Sequence, residues 1–274
     1  MGFRIRRMPL RTHKIEPVEP VLTIKQDNPV ELLRFSDAND YIVKFKSQPA
    51  GGPQKLYRDY IGGMLAYSLG LPVPPFGLVY IDQSWVDEHL KNRQPNAVGG
   101  HQFISRFLWD LNPIPRKKGI RLSTLSNPEV FVHMFVFDLW IGNQDRKRSH
   151  VLLKPHSGSK KRYQVYLIDH GGTLKPRSKV PFRMTQKQSF IASYKLSMRM
   201  IDRGEEWLPF AKKIMAIPDR ELEKLFDSIP KDWNISDKMR EEGLAFLKTG
   251  RTMLPDWIHG AREEWRSAVR KKRK

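Results

Sequence analysis

A chain of 274 residues with 39% hydrophobic residues, 7 Trp and 14 Phe can bury a sizeable core, as one large domain or as two lobes, and is excluded from the disordered class. The absence of cysteine excludes disulfides and thiolate metal sites, and no apolar run approaches the length of a membrane span. A formal net charge of +20 points instead to acidic or polyanionic partners. Basic clusters lie at residues 4–14, 116–118, 160–162 and 270–274, although each taken singly reads as a solvated surface. The opening Met1-Gly2-Phe3-Arg4-Ile5-Arg6-Arg7 lacks the apolar stretch of a signal peptide, so the expectation is a soluble, cytoplasmic protein.

Residues 1–17 read as a basic, poorly ordered lead and 18–25 as the start of a first strand. Residues 31–35, a polar turn at 36–40 and residues 41–46 alternate as a hairpin. On its second strand Lys44 lies on the face opposite Val43 and Phe45, an ordinary solvent-facing position unless that face covers an anion. The glycine-rich stretch 48–53 follows this strand rather than preceding it, which makes it a poor signal for a phosphate cradle. Residues 56–69 form a helix with Tyr57, Tyr60, Ile61, Met64, Leu65 and Leu69 along one side, Asp59 in its first turns and Gly70 as its stop. An extended stretch 71–75, a strand 76–81, a short polar helix 84–93 and a strand 101–108 complete a strand-rich half. A Pro- and Lys-rich surface loop follows at 112–119.

The second half is organised around residues 127–172. Asn127 is a natural N-cap, Pro128 suits the first helical position, and Gly142 suits the stop. Between them the helix is apolar on almost every face, so it is buried, and the polar loop after it, with Asn143, Asp145 and Arg146, sits on rigid support. Strands at 151–153 and 163–168, joined by a polar turn at 154–162, return the chain so that Asp169 lies near Asp145. Two carboxylates on short turns, with Asn143 and His150 between them, suit a divalent metal and the orientation of a nucleophile. Taken alone, each of these residues is more often a helix-ending turn, a cap or a hydrogen-bonded structural histidine. Further helices are expected at 185–202, 205–215, 219–228, 236–249 and 253–270, with Gly250 as a stop and Trp207, Trp233, Trp257 and Trp265 packing among them. Residues 269–274 read as a basic tail.

Four pieces occur in a telling order: Asp40-Tyr41-Ile42-Val43-Lys44-Phe45, the helix into Leu69-Gly70-Leu71-Pro72-Val73-Pro74, Gly142-Asn143-Gln144-Asp145-Arg146, and Leu167-Ile168-Asp169-His170-Gly171. Together they resemble the HipA-like kinases and, more remotely, the phosphatidylinositol kinases, over roughly residues 20–250. The resemblance implies an α+β, two-lobed protein-kinase-like fold, with a strand-rich N-lobe over 18–108 and a helical C-lobe over 109–268. It implies ATP and Mg2+ as cofactors and a protein serine or threonine as substrate. Lys44 would pair with nucleotide phosphates and Asp59 would hold Lys44. Asp145, with Asn143 in the same catalytic loop, would orient or deprotonate the acceptor hydroxyl. Asp169 would bind magnesium, with His150 at the second ligand position, and residues 102–106 would meet adenine. Phosphoryl transfer asks mainly for such positioning and charge neutralisation.

Three departures from the family pattern stand out. His150 replaces the usual Asn, Asp59 replaces the usual Glu, and residues 24–29 carry no glycine where a phosphate-covering loop is expected. Two other functions stay open at this level: a nucleotide-binding pseudokinase on the same fold, and a basic nucleic-acid-binding protein, the latter resting on charge alone.

Overall fold

The alternation in residues 30–46 becomes the middle of a five-stranded antiparallel sheet in the computed structural model, which describes residues 3–10, 15–24, 30–46, 52–115, 120–156, 159–174, 192–204 and 206–271. Its strands are β1 (Pro17–Ile24), β2 (Val30–Phe35), β3 (Asp40–Lys44), β4 (Phe76–Ile81) and β5 (Gly100–Arg106), in the spatial order β1-β2-β3-β5-β4. Helix α1 (Gly52–Leu69) leads from β3 to β4, and α2 (Gln83–His89) lies between β4 and β5. Strand alternation sends Leu33, Phe35, Tyr41, Val43 and Phe45 to an outer apolar cluster closed by Val86 and Leu90. Ile42 and Lys44 therefore face the other way, and a slip of one residue in register would exchange the two sets.

The rest of the described chain is mostly helical: α3 (Val130–Ile141), α4 (Ala192–Arg203), α5 (Trp207–Met215), α6 (Asp219–Asp227) and α7 (Asp237–Lys271), with a small sheet of β6 (Asn112–Pro113), β7 (Val151–His156) and β8 (Ser159–Leu167). Helix α3 is the core of this part. Phe131, Phe135, Phe137 and Trp140 are fully buried, each worth on the order of 1.5–3 kcal/mol of transfer free energy. Leu56, Tyr57, Tyr60, Ile61 and Leu65 of α1 belong to the same apolar cluster as α3, so α1 is packed on the helical part rather than carried by the sheet alone. No helix among the described residues is long and apolar enough to cross a membrane.

Several expectations change. Asn127 does not cap α3: its side chain exchanges hydrogen bonds with the Val165 backbone (N to Oδ1 2.8 Å, Nδ2 to O 3.2 Å), pinning the start of α3 to β8. Gly142 does end that helix in a left-handed conformation, φ 66°. Gly250 stops nothing; α7 runs unbroken for 35 residues through Gly250 and Pro255. Close packing is what glycine serves there, since a Cβ would fall 3.1 Å from Trp257 and 3.2 Å from the Trp140 carbonyl. The turn expected at 154–162 is largely strand, because β7 and β8 stay paired out to His156 and Ser159.

The loop expected at 112–119 contributes Asn112 and Pro113 to the edge of β7 and buries Ile114; residues 116–119 lie outside the described residues. So do 48–51 of the glycine-rich stretch, 25–29 of the segment before β2, 185–191 of the helix expected at 185–202, and 272–274 of the basic tail. The basic lead is not loose over residues 3–10. Ile5 N donates to Glu221 Oε2 (3.0 Å), Arg6 N to Ser68 Oγ (3.1 Å) and Leu10 N to the Phe76 carbonyl (3.2 Å), while Phe3, Ile5 and Met8 pack on the main core.

Candidate active site

A cleft of about 530 Å³ opens between the five-stranded sheet and the helical part, large enough for a nucleotide-sized ligand. Ile42, Val73, Phe76, Phe103, Leu152 and Leu167 supply apolar walls, while Lys44, Asp59, His150 and Asp169 gather at one end. Lys44 arrives there by strand alternation on β3. Its Nζ lies 2.8 Å from Asp59 Oδ2 and 3.5 Å from Asp169 Oδ1. The shorter Asp59 side chain thus reaches Lys44, because α1 packs close behind the sheet.

Asp59 does a second job. Its other oxygen accepts the His170 backbone N–H at 2.9 Å, tying α1 to the segment that carries Asp169. Burial opposes the Lys44 ammonium, yet Asp169 and Asp59 outweigh it and hold the group above its ordinary range. Burial likewise opposes the Asp169 carboxylate, but Lys44 and then His150 hold it well below the usual range. Burial raises the Asp59 carboxyl against the pull of Lys44. Asp169 itself sits at φ 58°, a left-handed conformation tolerated by Asp, and its Oδ1 accepts the Gly171 N–H at 3.3 Å.

Behind this group lies a hub that inspection of the sequence missed. Asp138, the lone carboxylate of α3, is buried and binds Arg146 through two parallel bonds, Nε to Oδ2 at 2.8 Å and Nη2 to Oδ1 at 2.9 Å. Asn143 Nδ2 donates to the same carboxylate (2.8 Å), as does the Tyr194 hydroxyl from α4 (2.9 Å). Arg146 in turn donates to the Ile168 carbonyl (2.6 Å) and to His170 Nδ1 (3.2 Å). A lone charge inside an otherwise apolar helix was the available signal, since a buried carboxylate demands partners.

Asn143 is buried and does not line the cleft; its Oδ1 accepts the Asp145 N–H at 3.1 Å and so shapes the loop from behind. The Asp145 side chain is about half exposed, 53%, with Lys147 Nζ at 3.3 Å. Gly172 lies against it: a Cβ on Gly172 would be 2.8 Å from Asp145 Cβ, which places the Asp169 segment beside Asp145. His150 lines the cleft with Nε2 3.5 Å from Asp169 Oδ2, and burial holds its pKa below the ordinary value. Among the described residues no group of three His, Asp or Glu is gathered for a metal. The Asp169 and His150 pair nonetheless fits a divalent cation of the kind that completes its shell with phosphate oxygens and water. The segment expected to face the ligand, residues 102–106, does so in part. Gln102 is buried and bonded to Lys46 N and the Val98 carbonyl, whereas Phe103, Ser105 and Arg106, with Phe107 and Leu108 beyond them, line the cleft.

The family model for HipA-like kinases matches residues 32–255, the span that holds every residue of this site. The chain belongs to the HipA-like kinase family. Its membership accounts for the arrangement of an antiparallel sheet over a helical part, with the cleft between them. Among solved structures, the Helicobacter pylori proinflammatory kinase CtkA is similar with a TM-score of 0.55 and 16% identity, covering 92% of this chain and 97% of that one. The Golgi casein kinase is similar with a TM-score of 0.53 and 13% identity, covering 90% of this chain and 74% of that one. At these identities the likeness is one of fold. No curated protein matches the chain by sequence.

Proposed function

We propose that this HipA-like kinase is an active, ATP-dependent phosphotransferase that moves the γ-phosphate to a hydroxyl, most simply a serine or threonine of a protein. The observation that carries the reading is the assembled Lys44, Asp59 and Asp169 group at the polar end of an apolar cleft. Lys44 holds phosphate oxygens, and Asp59 fixes its ammonium. Magnesium held by Asp169, with His150 beside it, would supply neutralisation of phosphate charge. Asp145 accepts the hydroxyl proton as that oxygen bonds to the γ-phosphorus and the bond to the bridging oxygen breaks, leaving ADP. Exposure of Asp145, on the loop that lies against Gly172, suits an acceptor carried on a polypeptide surface, and Lys147 beside it suits an acidic neighbourhood in that substrate.

Binding and turnover of Mg-ATP by wild type and Lys44→Met test the reading. Loss of about 10²–10³ in kcat/KM in the variant is the expected result, the scale for removing one donor to a developing charge. Equal turnover in both would contradict it. A second reading, nucleotide binding without transfer, is favoured by one observation: His150 offers nitrogen where magnesium prefers oxygen. Tight ATP binding with no transfer, with either magnesium or manganese, would select it.

A further inference from the structure

The immediate chain neighbours of Lys44 and Asp59 are held by a second set of contacts, made by residues that do not line the cleft. A 3-10 turn, Lys231–Trp233, between α6 and α7 presses against the sheet. Asp232 Oδ2 accepts from Lys46 Nζ at 3.0 Å and from His101 N at 2.9 Å, and Oδ1 lies 3.0 Å from His101 Nδ1. Trp233, fully buried, donates Nε1 to the His101 carbonyl at 2.7 Å and meets the Tyr60 ring edge-on, with centroids 6.1 Å apart. The Tyr60 hydroxyl is in turn 2.8 Å from Ser228 Oγ at the end of α6. The approach is tight. Gly100 has φ 113°, and a Cβ there would fall 2.5 Å from Asp232 Oδ2.

Lys46 is two residues beyond Lys44 on the same chain, and its backbone N–H is fixed by Gln102 Oε1 at 2.8 Å. Tyr60 is the residue after Asp59. One short turn of the helical part therefore reaches both members of the pair, through Lys46 to β3 and through Tyr60 to α1. Exposed ion pairs add little to stability, about 0–1 kcal/mol, and Asp232 is about one-third exposed, 32%. The arrangement thus fixes relative position more than it holds the fold together.

We propose that Asp232 and Trp233 are positioning residues: a clamp from the helical part that keeps β3 and α1 in the register where Lys44 meets Asp59, so that the phosphate-binding pair stands assembled before any ligand arrives. The inference rests on the reading of Lys44 as the phosphate-binding lysine. Sheet and helical part can rotate about a cleft in two-lobed enzymes, and the clamp ties the one to the other against that motion.

The test compares wild type with Asp232→Asn, Asp232→Glu and Trp233→Phe by backbone amide exchange and by titration with Mg-ADP. Asp232→Asn is expected to speed exchange in residues 40–46 and 52–61 while leaving α3 protected, and to weaken Mg-ADP binding about five- to tenfold, the low end of coupling between sites. Asp232→Glu is expected to restore part of both. Unchanged exchange in β3 and α1, or a rise spread evenly through α3 and α7 with Mg-ADP affinity intact, overturns the clamp. Failure of wild type to bind Mg-ADP would sink the kinase reading instead, and the exchange pattern would still decide the clamp by itself.

Discussion

Asp138 and Arg146 form a bidentate ion pair whose side chains are both out of water, and this pair braces both the loop that carries Asp145 and the segment that carries Asp169. Through Asn143 it fixes the Asp145 loop, and through the Ile168 carbonyl and His170 it fixes the Asp169 segment. Sites held within a fraction of an ångström by such support lose function when the support loosens.

Removing one partner of this pair leaves the other buried and unpaired. Asp138→Ala is expected to cost about 3–5 kcal/mol of stability, and Arg146→Met a similar amount. The double replacement Asp138→Leu with Arg146→Met is expected to be less destabilising than the sum of the two single changes. Urea unfolding of the set measures the coupling, and strictly additive losses would show that the pair does not act as a unit.

Stability should fall as pH drops from about 7.5 to 5.5, the window around the ordinary histidine value near 6.5. Burial first, then Arg146, holds His170 well below that value, and burial does the same to His133. Below pH about 6.5 the unfolded chain binds protons that these folded histidines refuse, so their contribution is present above the unfolded pKa and lost as pH falls toward the folded one. Each such proton is worth about 1.4 kcal/mol per pH unit at most. Unfolding midpoints at three pH values read the slope, and a profile flat across the window would contradict it. His170→Gln is expected to flatten it in part.

His150 should tune the metal rather than abolish transfer. Replacing it by Asn returns an amide oxygen to the position beside Asp169, where Nε2 now lies 3.5 Å from the carboxylate. Turnover with magnesium is expected to rise relative to turnover with manganese by about tenfold in His150→Asn, the scale on which ligand shells tune metal affinity. An unchanged ratio would remove His150 from the metal's surroundings.

How much of this was legible before the structure depends on the range of the interaction. Strand alternation places Lys44 on one face of β3, and unbroken apolarity buries α3; both are local patterns, and both appear where the periodicity points. The order of Lys44, Asp59, Asp145 and Asp169 along the chain allowed a family resemblance, and the fold brings Lys44, Asp59, Asp169 and His150 to one end of the cleft. What escaped was tertiary. Gly250 reads as a helix stop until Trp257 and Trp140 crowd it, Asn127 reads as a cap until β8 offers a backbone partner, and Asp138 gives no hint that Tyr194, 56 residues away, shares its carboxylate. Lys46 and Asp232, 186 residues apart, show the same limit: neither stands out until the fold sets them together.

The most direct test of the central claim is phosphate transfer by wild type and by Asp145→Asn, whose side chain is exposed enough that the change should leave the fold intact. Each protein would be incubated with Mg-ATP and a serine- or threonine-bearing acceptor protein, with intact mass following phosphate on both kinase and acceptor. The account predicts phosphate on protein in the wild type and a loss of at least about 10²-fold in rate in the variant, at unchanged ATP affinity, as expected for a group acting on the hydroxyl proton. Equal transfer by the two proteins would contradict it.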